Sequence, residues 1–234
     1  MKTEIIAQIK RELHYKRQDQ QCLRDAEFFK ALAQGKRIER CLPKLAQEAE
    51  FKRELVKRLK AASGLPEKTP RENKMPELKK IYDLLGRYTL EFPSRKNLVL
   101  VGAVGTGKTY AAQTVASKLL DRTFSVIFVT AFTLVQRFKD YIFNFENAAL
   151  NNLLTCDLLV IDDLGTEPKI KNISDEYLLN VINERQAQGK PFIITTNLSL
   201  EDILERYDER LTSRILSKTS SVVIEMKGKD LRLA

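Results

Sequence analysis

Residues 97–109 read NLVLVGAVGTGKT, an apolar segment that runs directly into a glycine-rich loop. Gly102 to Thr109 fit the pattern G-x-x-x-x-G-K-[ST] without deviation. Glycines at these positions let the backbone wrap closely round phosphate groups, and the helix that follows directs its positive end at them. The stretch therefore predicts a buried strand, a phosphate-binding loop and a helix, in that order.

The loop is expected to bind ATP together with Mg²⁺. Lys108 would contact the β- and γ-phosphates, and the hydroxyl of Thr109 would bind the metal ion. The other expected nucleotide contacts come from the rest of the loop and the residue after it: Gly102, Ala103, Val104, Gly105, Thr106, Gly107 and Tyr110.

Outward from the loop, short apolar segments alternate with segments of helical periodicity. Strands are predicted at 97–101, 125–130, 158–162, 192–196 and 221–226, and helices at 76–90, 108–120, 132–143, 146–154, 174–188, 200–206 and 208–217. Buried strands joined by helical crossovers predict an α/β fold with a five-stranded parallel sheet and helices on both faces.

Two carboxylates end the third of these strands, in the stretch LLVIDD at 158–163. Asp162 would hold Mg²⁺ through water, and Asp163 would orient the water that attacks ATP. Aspartate is shorter than the glutamate common at the second position, so slow hydrolysis is expected. The alternative is a pair of solvated loop acids. Glu167 is a weaker candidate for the same acid, or a residue of the loop or of a partner contact.

Asn197 follows the fourth strand, where a polar side chain can bridge the γ-phosphate and the attacking water. The alternative for Asn197 is capping of the next helix, for which Ser199 competes.

Arg210 and Arg214 lie on one face of the helix predicted at 208–217. We expect Arg214, and Arg210 second, to stabilise the γ-phosphate of a neighbouring subunit as an arginine finger. The alternative is surface pairing with Glu205 or Glu209. Arg185 is a further candidate for a contact between subunits, and Arg232 for a second contact with the nucleotide in its own subunit.

The charge of the chain is concentrated before residue 81. Residues 1–80 contain 21 Lys and Arg against 12 Asp and Glu, whereas residues 81–234 contain 19 of each, so the net +9 belongs to the first part. Apolar stripes at helical spacing there predict a small helical bundle or a surface that docks on a partner helix. The basic residues suit an acidic protein, nucleic-acid phosphates, or only solvent. The predicted domains are 1–62, a linker at 63–75, and 76–234.

Three scattered cysteines and the single His14 offer poor spacing for a metal site. Zinc held by His14, Cys22 and Cys41 is conceivable, but idle or buried thiols in a reducing compartment explain them as well. No apolar run approaches the length of a membrane span, and no signal peptide is visible, so we expect a cytoplasmic protein that does not contact a membrane.

Taken together, these motifs resemble the DnaC/DnaI-type bacterial helicase loaders and the related IstB-type transposition helper ATPases, both of the AAA+ class. The resemblance covers about residues 63–234. It is carried by VGAVGTGKT (101–109), LLVIDDLG (158–165), INER (182–185), IITTNL (193–198), RLTSRI (210–215) and GKDLR (228–232).

The resemblance implies an AAA+ sheet of order 5-1-4-3-2, with ATP bound where subunits associate with one another. It assigns Asn197 as sensor 1, Arg214 as the arginine finger and Arg232 as sensor 2. Because the sequence ends at Ala234, the helical lid of most AAA+ proteins is expected to be reduced or absent. The zinc ligands found near the start of some DnaI-type loaders are missing.

The leading functional prediction is an ATP-controlled loader that grips a replicative hexameric DNA helicase and places it on single-stranded DNA. The alternative is a transposition helper ATPase that assembles on double-stranded DNA and recruits a transposase. A third class is an adaptor for which ATP is a structural ligand without useful turnover.

Overall fold

The structure is a computed structural model of the chain, and it describes residues 79–93, 96–144, 147–228 and 230, with the isolated positions Arg53, Lys57 and Ser63. The chain divides into two compact units, Met1–Arg58 and Leu59–Ala234. Every element described below belongs to the second unit. The predicted helical stripes of 1–62, the linker at 63–75, the zinc alternative and Arg232 lie outside the described residues, apart from the three isolated positions.

Helices and strands alternate along the second unit as the sequence predicts. In chain order they are α1 (Lys79–Glu91), β1 (Asn97–Val101), α2 (Lys108–Asp121), β2 (Val126–Thr130), α3 (Ala131–Asn144), α4 (Asn147–Thr155), β3 (Leu158–Leu164), α5 (Ser174–Ala187), β4 (Phe192–Thr196), α6 (Leu200–Arg206), α7 (Glu209–Ile215) and β5 (Ser221–Glu225). The predicted elements are present, and most ends differ from the predicted ones by one or two residues.

The strands form one parallel sheet in the order β2-β3-β4-β1-β5. This confirms the predicted order 5-1-4-3-2. Because all strands run the same way, their carboxyl ends meet at one edge, which is where such sheets present their ligand sites. Val101 pairs with Thr196, and Thr130 with Asp162, at that edge.

Burial of both sheet faces explains why β1 to β4 read as unbroken apolar runs. Strand β5 lies at the edge of the sheet and, contrary to the expectation of buried strands, leaves Val223 and Glu225 exposed. Alternate strand residues such as Val99, Ile127 and Ile161 join a cluster with side chains of α3, α5 and α7. The intervening residues point to the other face because side chains alternate along a strand. That face carries α2, which packs against β2, β3 and β4 through small buried residues such as Ala111 and Ala112.

Strand β3 is longer than predicted and runs past both acids to Leu164. The reason lies in its partner: Leu164 pairs with Thr196, and the Thr196 hydroxyl donates a 2.7 Å hydrogen bond to the Leu164 carbonyl. The register shifts between Ile161 and Leu164. The two acids therefore lie within an irregular part of the strand, not beyond its end.

In the part of the chain that the structure describes, no helix combines the length and the apolar character needed to cross a membrane.

Candidate functional site

The loop between β1 and α2 has a conformation that only glycine adopts easily. Gly105 and Gly107 have φ of 78° and 90°, in the left-handed region where a side chain is strained. At Gly102 the reason is close approach, because a Cβ there would lie 2.3 Å from the Met226 carbonyl oxygen. The Thr106 hydroxyl closes the loop by donating to the Ala103 carbonyl at 2.9 Å. The loop is thus tightly folded against the end of β5.

Lys108 begins α2 and is only 5% exposed. Its ammonium donates to the carbonyls of Gly102 at 2.8 Å and Ala103 at 2.7 Å. The loop's own backbone therefore holds this cation beside the loop. A charge fixed in this way can act on a phosphate without first losing much side-chain entropy.

Asp162 is the centre of the site, buried at 4% exposure on β3. Its Oδ1 accepts hydrogen bonds from the hydroxyl of Thr109 at 3.0 Å and from that of Thr195 at 2.6 Å. Burial raises the pKa of the Asp162 carboxyl above its usual value, as does the charge of Asp163, while the two hydroxyls and Lys108 act against that rise. Three segments of chain thus converge on one carboxylate oxygen.

Asp163 has an uncommon backbone conformation, with φ of 54°. Its N–H donates to the Thr195 hydroxyl at 3.0 Å, and its carbonyl accepts from the hydroxyl of Thr166 at 2.8 Å. Asp and Asn tolerate the left-handed region better than other residues with a side chain. Strain of this kind is often found at functional sites, and here it coincides with the register shift between Ile161 and Leu164, after which β3 pairs with β4 again.

The structure does not bring Asn197 into contact with these acids. Asn197 is exposed, and within the described ranges its side chain makes no hydrogen bond. Nor does it cap the following helix, because Ser199 does so and accepts the N–H of Asp202 at 3.0 Å. The fourth-strand residue that touches Asp162 is Thr195. Its signal in the sequence is the pair of threonines, Thr195 and Thr196, that ends an otherwise apolar strand.

Helix α7 presents Arg214 to solvent, and its guanidinium has no ion pair among the described residues. Arg210 is also exposed and lies 3.5 Å from Asp208. The pairing considered for these arginines, with Glu205 or Glu209, is not observed. Arg214 is thus accessible to another molecule.

The prediction for Arg185 is wrong. Arg185 is 0% exposed, so it cannot contact another subunit. It donates to the carbonyls of Leu153 at 2.6 Å, Pro191 at 2.7 Å and Cys156 at 3.1 Å. A cation suits the carbonyl end of a helix, and Arg185 occupies that position at the end of α4.

Glu167 is not an accessible acid for attack on a ligand. It is 5% exposed, and both carboxylate oxygens are in use. Oε2 accepts the N–H of Gly165 at 2.7 Å, and Oε1 accepts from the Tyr207 hydroxyl and from Arg206 at 3.3 Å. This contradicts its place among the candidates for the water-orienting acid.

Two contacts at the loop have no counterpart in the sequence predictions. The ring of Tyr110 meets that of Tyr82 from α1 edge to face, with 6.2 Å between centroids. Burial, and then Tyr110, raises the pKa of Tyr82 to about 12. The Asp230 carboxylate packs on Gly105, where a Cβ would lie 1.9 Å from Asp230 Oδ1. Val104 is exposed at the outer side of the loop.

These groups fit a nucleotide triphosphate bound with a divalent cation. The loop supplies left-handed glycines and a fixed ammonium, while Thr109 and Asp162 bring two oxygen ligands within 3.0 Å of each other. Mg²⁺ sites are often built from one or two carboxylates and completed by phosphate oxygens and water. No cluster of three His, Cys, Asp or Glu suited to a metal occurs among the described residues.

The chain is similar to proteins of two functional classes. It is 31% identical over 143 residues to the replicative helicase loader DnaC of Escherichia coli strain K12, which covers 59% of this chain and 58% of that protein. It is 30% identical over 151 residues to an ATP-binding protein assigned to insertion sequence IS5376 of Geobacillus stearothermophilus, covering 62% and 59%. The chain spans about six tenths of the length of the curated relatives it matches.

Among solved structures, AMPPCP-bound DnaA from Aquifex aeolicus superposes with a TM-score of 0.62 at 20% identity, covering 73% of this chain and 53% of that one. A likeness at this identity shows the fold, which is that of an AAA+ P-loop protein. The IstB-like ATP binding protein family matches residues 53–234. The chain therefore belongs to the IstB-like ATP-binding proteins.

Proposed function

We propose that this chain is an ATP-hydrolysing loader that binds a replicative hexameric DNA helicase and places it on single-stranded DNA. The observation that carries the ATPase part is the contact between Thr109 and Asp162 beside the glycine loop. The loader part is supported by the similarity to DnaC, which is named a replicative helicase loader. Those partners imply action in the cytoplasm.

In the proposed mechanism the backbone N–H groups of residues 102–109 surround the phosphates, and Lys108 neutralises their charge. The Thr109 hydroxyl and, through water, Asp162 would hold Mg²⁺, and the ion would polarise the phosphate oxygens. Tyr110 adds a contact next to the loop. Burial of Asp162 strengthens its attraction for a cation, because the interaction is less screened than in water.

Asp163 orients the attacking water in this proposal. Asp162 is buried whereas Asp163 is partly exposed, so that Asp163 is the more accessible of the two acids to water. Thr195 holds both residues, and Asn197 would reach the γ-phosphate from its exposed position at the end of β4. Asn197 thus acts on the ligand, whereas Thr195 acts on the acids.

Arg214 completes the site of a neighbouring subunit in the proposed assembly. A guanidinium supplied in this way stabilises the charge of the transition state. ATP would then hold subunits together, and hydrolysis would release them. Arg232 is proposed as a contact with the nucleotide of its own subunit.

The second candidate is a transposition helper that assembles on double-stranded DNA and recruits a transposase. It is favoured by the relative from insertion sequence IS5376 and by the IstB-like family itself. A nucleotide-dependent adaptor without turnover is the third. The three differ in partner and in turnover, which makes them separable by experiment.

The test is capture of the host's replicative helicase by the full chain, with and without ATP and single-stranded DNA. Lys108→Ala serves as the nucleotide control, and its ATP affinity should fall at least tenfold, about 1.4 kcal/mol. Capture of helicase by the wild type, weakened in Lys108→Ala, supports the loader. Capture of a transposase on double-stranded DNA instead establishes the helper, and ATP binding without turnover under all conditions establishes the adaptor.

Residues 1–62 are proposed as the partner-binding module, because the basic excess lies before residue 81. A shortened chain of residues 66–234 should bind ATP but lose the helicase. The rival is a DNA contact, whose affinity would fall steeply with salt, with a slope of about −0.7 per phosphate neutralised on a single strand. If the shortened chain loses DNA binding but still captures the helicase, residues 1–62 contact DNA and are not the partner-binding module.

A further inference from the structure

A buried cluster joins the turn after β3 to the junction between α6 and α7. Its centre is Glu167, whose side chain is 4% exposed. Oε2 accepts the Gly165 N–H at 2.7 Å, and Oε1 accepts from Tyr207 and Arg206. Arg206 also donates to the Glu167 carbonyl at 2.6 Å. Every donor on the carboxylate thus comes from either the turn or the junction.

At one end, the cluster fixes the turn that carries Asp163. Gly165 has φ of 104°, and a Cβ there would lie 2.7 Å from the Leu198 side chain, so the turn has little room to shift. The Thr166 N–H and hydroxyl both donate to the Asp163 carbonyl. A displacement of Glu167 would therefore also displace Asp163, because the short segment 163–167 between them is held by these hydrogen bonds.

At the other end, the cluster fixes the start of α7. Tyr207 caps the end of α6, and the next residue, Asp208, caps the start of α7 by accepting the Leu211 N–H at 2.7 Å. Burial, and then the Glu167 charge, raises the pKa of Tyr207 well above its usual range, so its hydroxyl stays a donor. The helix that begins here carries Arg214.

The energetics make this connection stiff. Removing one partner of a buried ionic group is costly, because the remaining charge has lost its compensation. Glu167 therefore strongly disfavours any movement that separates the turn from the junction. The two segments are expected to shift together or not at all.

We propose that Glu167 is a positioning residue that couples the acids at the end of β3 to the helix carrying Arg214. This rests on the ATP hydrolysis and the role of Arg214 between subunits proposed above. The cluster keeps Asp163, which acts within the subunit, and Arg214, which acts on the neighbouring one, in a fixed relation. ATP bound at one site of the assembly would thereby influence the position of the Arg214 that the same subunit presents to the neighbouring site.

The test uses Tyr207→Phe, which removes one donor to Glu167 and keeps the ring. Its matched control is Tyr88→Phe in α1, which also removes a buried phenol hydrogen bond, to the Lys96 carbonyl at the opposite edge of the sheet. Both variants should lose some thermal stability. Only Tyr207→Phe should lower kcat, about tenfold or more, with KM and the ATP affinity within about twofold of the wild type.

Combination with Arg214→Ala decides whether the two residues act through one element. If Glu167 acts through α7, the loss in the double variant should not exceed that of Arg214→Ala alone. Arg206→Gln, which removes the more exposed donor, should show the same split between kcat and KM. Two outcomes would overturn the coupling but not the proposed function. One is a loss of kcat in the double variant equal to the product of the two single losses. The other is a wild-type kcat in Tyr207→Phe when Arg214→Ala is impaired. A wild type without turnover, or an unimpaired Arg214→Ala, would overturn the proposed function together with the coupling.

Discussion

The hydroxyl of Thr195 lies between the two acids of β3: it donates to Asp162 Oδ1 at 2.6 Å and accepts the N–H of Asp163 at 3.0 Å. Thr195 is fully buried on the adjacent strand β4. The Thr195 hydroxyl thus acts as both donor and acceptor, and it fixes the position of the Asp162 carboxylate relative to the Asp163 backbone. The acids of this site are positioned by their neighbouring strand as well as by their own.

Thr195→Val should therefore impair hydrolysis more than binding. Valine has the same shape but removes the donor to the buried Asp162 carboxylate and the acceptor of the partly buried Asp163 N–H, which costs about 1–3 kcal/mol of stability. We expect kcat to fall about tenfold or more, and the ATP affinity to stay within a few-fold, because Asp162 and Thr109 remain. Steady-state kinetics and a nucleotide titration measure both.

The controls for this variant are Thr195→Ser and Thr89→Val. Serine keeps the hydroxyl and should retain most of the activity. Thr89 is a buried threonine of α1 whose hydroxyl donates only to the Gly86 carbonyl within its own helix, so Thr89→Val should leave kcat unchanged. An active Thr195→Val would show that the hydrogen bonds on Thr195 do not position the acids.

Asp163→Asn should bind ATP normally and lose turnover. Asparagine tolerates the φ of 54° at this position as aspartate does, so the change removes the charge without adding backbone strain. The expected loss in kcat is about a hundredfold, in the range of a positioned acid–base group. Asp163→Ala adds strain of about 1–2 kcal/mol and should also unfold more easily. Wild-type turnover in Asp163→Asn would exclude Asp163 as the water-orienting acid.

The sheet could be predicted from the sequence because each strand is a short apolar run between helical segments. The order of the strands came from the resemblance, since periodicity does not say which strands are neighbours. The glycine loop and the two acids were identified because their spacing is itself the chemical signature. These features depend on residues that are close together in the sequence, so they can be recognised without knowing the tertiary structure.

The parts that could not be predicted depend on side chains meeting from distant segments. Arg185 looks like a surface arginine in the sequence, and nothing there shows that the carbonyls of Leu153 and Pro191 converge on it. The contact between Thr195 and Asp162 could not be predicted either, because it is decided by the pairing of β3 with β4. For Glu167 the sequence favoured a residue of the loop over the acid, and its burial depends on Arg206 and Tyr207, which lie about 40 residues further along the chain.

Asp162→Asn should make the nucleotide-free protein more stable at neutral pH. Burial raises the pKa of Asp162 in the folded chain, so the folded state holds a proton more readily than the unfolded one. The stability linked to that proton is present below the unfolded pKa of about 3.9 and is lost as pH rises through the folded pKa. At pH 7 the charged carboxylate is therefore a net cost, while asparagine still accepts from Thr109 and Thr195.

Thermal unfolding measured from about pH 4 to pH 8 tests this effect. The Tm of Asp162→Asn should exceed that of the wild type at pH 7, and the difference should grow as the pH rises from the unfolded pKa of about 3.9 to the folded pKa and stay constant above it. Added MgATP should stabilise only the wild type. A variant that is less stable at every pH would contradict the view that the buried charge is a cost of function.

Gly105→Ala should destabilise the loop in two separable ways. Its φ of 78° strains any side chain, at about 1–2 kcal/mol, and its Cβ would collide with the Asp230 carboxylate at 1.9 Å. Asp230→Ala removes the collision and leaves the strain. The double variant should therefore recover part of the loss, with a coupling energy of about 0.5–3 kcal/mol in the free energy of unfolding.

The matched control for Gly105→Ala is Gly86→Ala in α1. A Cβ at Gly86 meets no atom within 4 Å, so alanine there should stabilise the helix by about 0.5–1 kcal/mol. Denaturant unfolding of the single and double variants gives the coupling, and a nucleotide titration shows whether the same contact limits access of ATP to the loop. Additive effects of Gly105→Ala and Asp230→Ala would mean that the Asp230 carboxylate does not contact Gly105, because substitutions of two residues in contact change the free energy of unfolding non-additively.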